Sequence, residues 1–298
     1  MKLKILVILG PTATGKSDLA VSLAKKFNGE VVSADSRQIY KGMNLGTGKI
    51  TKKEMLGVKH HMLDIVSPKK QYSVSDYKKL AEKEIEKIIK AGKLPIICGG
   101  TGFYIDSIIK NISLPEVPAN KKLRVNLSNK SAEVLFKMLQ KLSPTRAKNI
   151  DAKNKVRLIR AIEISKTLGN VPEIIELPSK YNSLLIGLDM PDEILKKRIA
   201  LRLEKRIKLG MLREVQKLHT SGVSWKKLES FGLEYREISL FLQKKISREQ
   251  MVENLKNDIW HYVKRQRTWF KRNKDIEWFE PREKNKISKV VKKGIGHA

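Results

Sequence analysis

Cysteine is nearly absent: Cys98 is the single one in 298 residues. One thiol excludes any disulfide within the chain, and no Cys/His cluster has zinc-site spacing. That fits a reducing compartment, so a cytoplasmic setting is expected. Long apolar runs are missing too, and no stretch approaches the length that spans a bilayer, so no membrane partner is expected. The start, Met1-Lys2-Leu3-Lys4 and then Ile5–Leu9, imitates a signal peptide only in outline. Its apolar segment is too short and runs directly into a loop motif, so it reads as a first buried strand. Acidic residues are scarce beside basic ones: 31 Asp+Glu against 62 Lys+Arg, a formal net charge of +31. Such an excess points to a polyanionic partner, nucleic acid or an anionic surface. Internal repeats and low-complexity tracts are lacking. A chain of this length buries a core of its own and suits roughly two domains.

What is present begins with Gly10-Pro11-Thr12-Ala13-Thr14-Gly15-Lys16-Ser17. It follows five apolar residues and precedes a helix-like run, Asp18 to Phe27. Strand, glycine-bounded loop and helix in that order make the G-x-x-x-x-G-K-[ST] pattern of a P-loop. Glycines allow turn conformations that a Cβ penalises. Successive N–H groups and the helix start then form an anion cradle. Lys16 is expected on phosphate oxygens, and the Ser17 hydroxyl on Mg²⁺. The motif promises a bound di- or triphosphate without saying which bond breaks.

Along the chain, Glu30–Ala34 reads as a second strand ending at Asp35, where ligands sit in open α/β sheets. His60 and His61 are adjacent and face opposite sides of a strand, a poor metal pair. Residues 73–90 form an amphipathic helix whose start stays open, since Ser75 with Lys78 lacks a capping-box acid. Leu94–Cys98 is a buried strand closing on Gly99-Gly100-Thr101-Gly102, and a helix follows to Ile109. This alternation predicts an α/β fold, a P-loop-containing doubly wound parallel sheet. At Leu114-Pro115-Glu116-Val117-Pro118 the pattern changes. From Asn120 to about Thr167 only helices are expected, with stripes at Leu135, Met138, Leu139, Leu142 and at Val156, Ile159, Ile162, Ile164. Leu184–Asp189 is a strand again. The expected division is therefore a core over 1–111, an all-helical insertion domain over 112–180, and core completion over 181–298.

Beyond the insertion, Arg198, Arg202 and Arg206 recur four apart on one helix face, either as a solvated stripe or converging on phosphates. Residues 252–272 interleave Trp260, Tyr262, Trp269 and Phe270 with Lys264, Arg265, Arg267, Lys271 and Arg272. Two readings stay open: an RNA surface that stacks bases and pairs phosphates, or an amphipathic helix with its aromatics inward. Ile276–Phe279 is expected as an edge strand, and the tail from Arg282 as a frayed basic end. A kinase would add an apolar strand ending in Asp. Here the obvious strand ends in Gly-Gly-Thr-Gly, so phosphoryl transfer is poorly supported. The same cradle would serve a reaction in which pyrophosphate leaves.

Ordered blocks carry a family resemblance. Gly10–Ser17, Ser33-Ala34-Asp35-Ser36-Arg37-Gln38-Ile39-Tyr40-Lys41-Gly42-Met43, Lys59–Asp64, Gly99–Ile105, Arg157–Glu163 and Lys264-Arg265-Gln266-Arg267-Thr268-Trp269-Phe270 resemble the motifs of the tRNA dimethylallyltransferases, also called tRNA isopentenyltransferases. The resemblance implies transfer of a dimethylallyl group from dimethylallyl diphosphate to N6 of adenosine 37 beside the anticodon, with pyrophosphate released. It implies Asp35 as general base, with Thr101 also catalytic. Diphosphate contacts fall to Gly10, Thr12, Ala13, Thr14, Gly15, Lys16, Ser17 and Arg202. Contacts to tRNA, through its anticodon stem-loop, fall to Asp35, Ser36, Arg37, Gln38, Thr101, Arg157, Arg160, Lys264, Arg265 and Arg267. Mg²⁺ is the implied cofactor, with Ser17 as its ligand, and the chain is expected to act as a monomer. The insertion looks shorter than is common in the family, and Lys59 and Gly48 replace usual residues. A zinc finger of the eukaryotic type is missing, which suits a bacterial-style enzyme. The alternatives are an adenylate isopentenyltransferase and a small-molecule P-loop kinase.

Overall fold

In a computed structural model, residues 3–296 are described; Met1, Lys2, His297 and Ala298 lie outside the described residues, the last two belonging to the tail expected to fray. The chain forms two compact units, residues 112–177 and the remainder on either side of them.

The larger unit is built on the strands β1 (Leu3–Leu9), β2 (Gly29–Ala34), β3 (His60–His61), β4 (Leu94–Gly99), β5 (Tyr181–Leu188) and β6 (Glu277–Phe279), ordered β3-β2-β4-β1-β5-β6. Every pairing is parallel. Between the strands run α1 (Lys16–Lys26), the single turn α2 (Lys52–Met55), α3 (Val74–Lys90) and α4 (Gly102–Ile109). The Ile5–Leu9 run of β1 is buried throughout, which suits a strand covered on both faces. Its side chains alternate between two cores. Ile5, Val7 and Leu9 pack with Tyr77, Ile85 and Ile88 of α3 and Ile105 and Ile108 of α4. Leu6 and Ile8 pack with Leu19, Ala20 and Leu23 of α1 on the other face. The doubly wound sheet is thus seen directly. The start of α3, left open by the sequence, is a capping box between Ser73 and Asp76.

Residues 112–177 carry α5 (Lys121–Ser128), α6 (Ala132–Leu142), α7 (Pro144–Lys148) and α8 (Lys155–Leu168) around Leu127, Leu135, Leu139, Leu158 and Ile162. The face of α8 differs from expectation at one end: Val156 is 77% exposed, and Leu158 and Ala161 are buried instead. At the centre lies Glu163, 1% exposed, which accepts from Arg124 Nε and Nη2, Arg160 Nη1 and the Asn120 N–H. Burial would raise its carboxyl, but these donors outweigh it and hold it below the usual range.

After β5 come α9 (Asp192–Lys208), α10 (Met211–Thr220), α11 (Trp225–Ser230), α12 (Leu233–Leu242), α13 (Arg248–Phe270) and α14 (Lys284–Ile295). The first five pack around Leu195, Leu203, Met211, Val215, Ile238, Leu255 and Val263. The expected frayed tail is corrected by α14: Ile287, Val291 and Ile295 recur four apart and dock on the α1 face of the sheet. Burying that stripe offsets the entropy that leaves most termini loose.

Candidate active site

The connection leaving β1 runs to one side of the sheet and that leaving β5 to the other, so a crevice opens at their carboxyl ends. The Gly10–Ser17 loop fills it. Gly10 has φ +136, and a Cβ there would stand 2.2 Å from Leu188 O, so glycine alone lets this loop lie against the end of β5. Thr14 is fully buried, and its hydroxyl donates to Pro11 O at 2.9 Å. Lys16 Nζ donates to the same carbonyl at 2.5 Å. Burial pushes this ammonium down to about 8, and the nearby Arg202 pushes the same way.

Arg202 is carried in from α9. Its Nη1 lies 3.4 Å from Thr12 Oγ1, and its Nη2 donates to Gly48 O at 3.2 Å. No carboxylate pairs with it among the described contacts, and burial followed by the neighbouring Arg206 lowers its pKa. A part-buried guanidinium with no carboxylate partner, lining one cavity with Thr12, Lys16 and Ser17, is the kind of group that can hold an anion. Arg206 is used differently. It donates to the carbonyls of Leu45 and Gly46 and pairs with Glu234 Oε1 at 3.0 Å. Glu214 holds the same segment from its other side. It accepts the N–H groups of Asn44, Leu45 and Gly46 at 2.7–2.9 Å and the Tyr235 hydroxyl at 2.7 Å. The 44–48 segment is therefore a fixed wall.

Asp35 stands just beyond β2. Its Oδ1 accepts the N–H of Arg37 at 2.8 Å and of Gln38 at 3.2 Å, leaving Oδ2 without a protein donor among the described contacts. Thr101, just beyond β4, accepts the Ser36 N–H at 3.0 Å. Two cavities meet at Asp35. One, roughly 460 Å³, is lined by Thr12, Gly15, Lys16, Ser17, Arg202 and Asp35. The other, roughly 350 Å³, is lined by Asp35, Arg37, Phe231, Ile259, Tyr262 and Arg265. Asp35 thus borders both the cavity of the Gly10–Ser17 loop and a second one lined by aromatic and arginine side chains, and Thr12 and Arg202 line both as well.

A family model described as IPP transferase matches residues 38–273, from Gln38 beside Asp35 to just past α13. The chain belongs to the IPP transferase family. Among its relatives, tRNA dimethylallyltransferase 2 of Treponema denticola is 46% identical over 271 residues, covering 89% of this chain and 91% of that one. The tRNA dimethylallyltransferase of Pelotomaculum thermopropionicum is 41% identical over 283 residues, covering 93% and 90%. The crystal structure of the tRNA isopentenylpyrophosphate transferase of Bacillus halodurans superposes with a TM-score of 0.75 at 34% identity, covering 99% of this chain and 97% of that one.

In this member of the IPP transferase family the residues singled out from sequence do not all converge. Thr12, Lys16, Ser17, Asp35 and Arg202 line the first cavity, and Asp35, Ser36, Arg37 and Arg265 the second. Arg37 is held there by Phe231, whose carbonyl accepts from Nε at 2.9 Å. Lys264 is exposed on α13 and Arg157 on α8. Arg267, expected on tRNA, instead forms a bidentate pair with Asp189, adds Asp192 Oδ1 at 2.5 Å, and donates to Met190 O at 2.8 Å. Its cation is consumed in fixing the end of β5. Arg160, also expected on tRNA, gives Nη1 to buried Glu163 at 2.5 Å. Sequence reasoning gave no role to Glu214, and it named Arg206, Tyr262 and Gln266 only as members of a basic stripe, an aromatic–basic run and a motif, without the contacts they make here.

Proposed function

We propose that this chain transfers a dimethylallyl group from dimethylallyl diphosphate to the exocyclic N6 of adenosine 37 in tRNA. The allylic C–O bond breaks and pyrophosphate leaves. The new bond joins the allylic carbon to N6, and the N6 proton passes to the Asp35 carboxylate. An adenine amine is a weak nucleophile because its lone pair is delocalised into the ring. A carboxylate on its proton raises its reactivity in the transition state. The Gly10–Ser17 amides, Lys16 and Arg202 stabilise the charge that grows on the departing diphosphate. Thr101 holds the Ser36 turn and thereby orients Asp35.

The donor set suits Mg²⁺. Ser17 is exposed toward a cavity that Asp18 and Asp35 also line, and no group of three or more His, Cys, Asp or Glu fit to hold a metal occurs among the described residues. In a P-loop the Ser hydroxyl after the lysine is a ligand for Mg²⁺, which otherwise keeps waters and takes phosphate oxygens. Bound there, it would neutralise charge on the leaving group.

The polyanion partner is tRNA through its anticodon stem-loop, met by Ser36, Arg37, Gln38, Arg265, Lys264 and Arg157. The chain works as a monomer in the cytoplasm. The observation that carries this reading is the position of Asp35 on the border of both cavities. The test is incubation of the purified protein with labelled dimethylallyl diphosphate and tRNA, AMP or ATP in separate reactions. Label in tRNA alone supports the reading. Label in AMP or ATP, or phosphate transfer from ATP, overturns it.

A further inference from the structure

Gln266 lies on α13 and is 5% exposed. Its amide touches two loops with opposite polarity. Oε1 accepts the Thr12 N–H at 2.9 Å, and Nε2 donates to Gly100 O at 2.9 Å. One side chain therefore satisfies a donor from the loop after β1 and an acceptor from the turn after β4. The fit is close: a Cβ on Gly100 would stand 2.2 Å from Nε2. Each loop leads to one half of the chemistry. Thr12 faces Arg202 in the anion cradle, and Thr101, next to Gly100, holds Ser36 beside Asp35.

The rest of α13 is anchored around this contact. Three residues on, Trp269 Nε1 donates to Asp106 Oδ2 at 2.9 Å, and Arg267 grips Asp189. The helix carrying Gln266 is thus tied to α4 and to the end of β5, so the amide is presented from a rigid strut. A buried amide needs partners at both ends wherever it sits; what is particular here is that the two partners belong to loops after different strands, each leading to one side of the site.

We propose that Gln266 is a positioning residue for the transfer, setting the separation between the diphosphate cradle and the Asp35 carboxylate. This rests on the prenyl-transfer reading. In-line displacement needs the allylic carbon and the amine at near-contact distance, and a misplacement of about 1 Å costs on the order of a hundredfold. Gln266 lines the first cavity, but both ends of its amide are taken up by the Thr12 N–H and Gly100 O, so its effect is expected on the saturated rate more than on the affinity of either substrate.

Two variants disturb the same amide by different routes. Gln266→Met removes both hydrogen bonds at similar volume. Gly100→Ala leaves the glutamine in place and displaces its Nε2. Single-turnover rates at saturating dimethylallyl diphosphate and anticodon stem-loop RNA are measured per folded molecule, together with the affinity for pyrophosphate and for the RNA alone. The expected result in each folded variant is a saturated rate lower by about tenfold to a hundredfold, with both affinities within about threefold of wild type. A saturated rate within about twofold of wild type, or an affinity loss large enough to explain the rate, overturns the proposal. Wild-type protein that transfers no label would instead remove the prenyl-transfer reading on which it rests.

Discussion

Arg202 Nη1 stands 3.4 Å from Thr12 Oγ1, so a guanidinium from α9 reaches a loop that follows β1, 190 residues earlier in the chain. Arg206, one helical turn further along α9, turns away to the carbonyls of Leu45 and Gly46 and to Glu234. The two arginines share a helix face but not a role, and their variants should part accordingly. Arg202→Ala is expected to raise the KM for dimethylallyl diphosphate by about tenfold or more while leaving thermal stability near wild type. Arg206→Ala strands Glu234 in a buried site and is expected to cost about 3 kcal/mol of stability. Steady-state kinetics and thermal melts on both variants check the division. Equal effects of the two on KM would contradict it.

Asp35→Asn keeps an oxygen able to accept the Arg37 and Gln38 N–H groups, so the turn should survive. What it loses is the capacity to take a proton. Turnover is expected to fall by about a hundredfold or more, with tRNA affinity nearly unchanged. Filter binding alongside single-turnover rates separates the two quantities. Normal turnover would remove Asp35 from the role of base.

Lys16 gives a dependence on pH whose sign is fixed. Its ordinary value is 10.5, and burial brings it to about 8 in the folded protein. Between those values the unfolded chain holds more protons, so the stability of the ligand-free protein should rise with pH across that window. On the proposed reading, bound diphosphate is expected to restore the charged form. Binding should therefore take up a proton above the lowered value, and affinity should weaken as pH climbs past it. Calorimetry of pyrophosphate binding at about pH 9, in buffers of different ionisation enthalpy, reads that proton directly. Lys16→Met should abolish the uptake, and its persistence in that variant would assign it elsewhere.

How much of this was legible in the residues follows from range. The P-loop, the strand before it and the helix after it are local, and the glycine spacing specified them. The Asp35 turn was legible for the same reason: two of its own N–H groups, within three residues, hold the carboxylate. Arg206, Glu214 and Gln266 were not, because their partners lie 160, about 170 and 254 residues away in the chain. Nothing in a basic helix tells which arginine meets a phosphate and which is used on a loop carbonyl. The ion pair of Arg267 was no easier to read, its bidentate partner Asp189 lying 78 residues away in the chain. The tail misled through composition: its lysines suggested a loose end, although Ile287, Val291 and Ile295 already had helical spacing.

Within residues 112–177, Glu163 joins the loop before α5 to α8 by accepting from Asn120, Arg124 and Arg160. Glu163→Ala would leave two arginines without their shared partner. Both are partly exposed and can turn to water, so the cost is expected near about 3 kcal/mol, the low end for a broken buried pair. Hydrogen exchange should show lost protection confined to residues 112–177. Loss spread equally over the sheet would contradict this assignment of Glu163.

The most direct measurement is a crystal structure with an unreactive dimethylallyl diphosphate analogue and an anticodon stem-loop bound together. The expected result has the diphosphate on the Gly10–Ser17 amides with Lys16 and Arg202, and the N6 of adenosine 37 within hydrogen-bond distance of an Asp35 oxygen. A diphosphate seated elsewhere, or an Asp35 carboxylate turned away from that amine, would contradict the proposed chemistry.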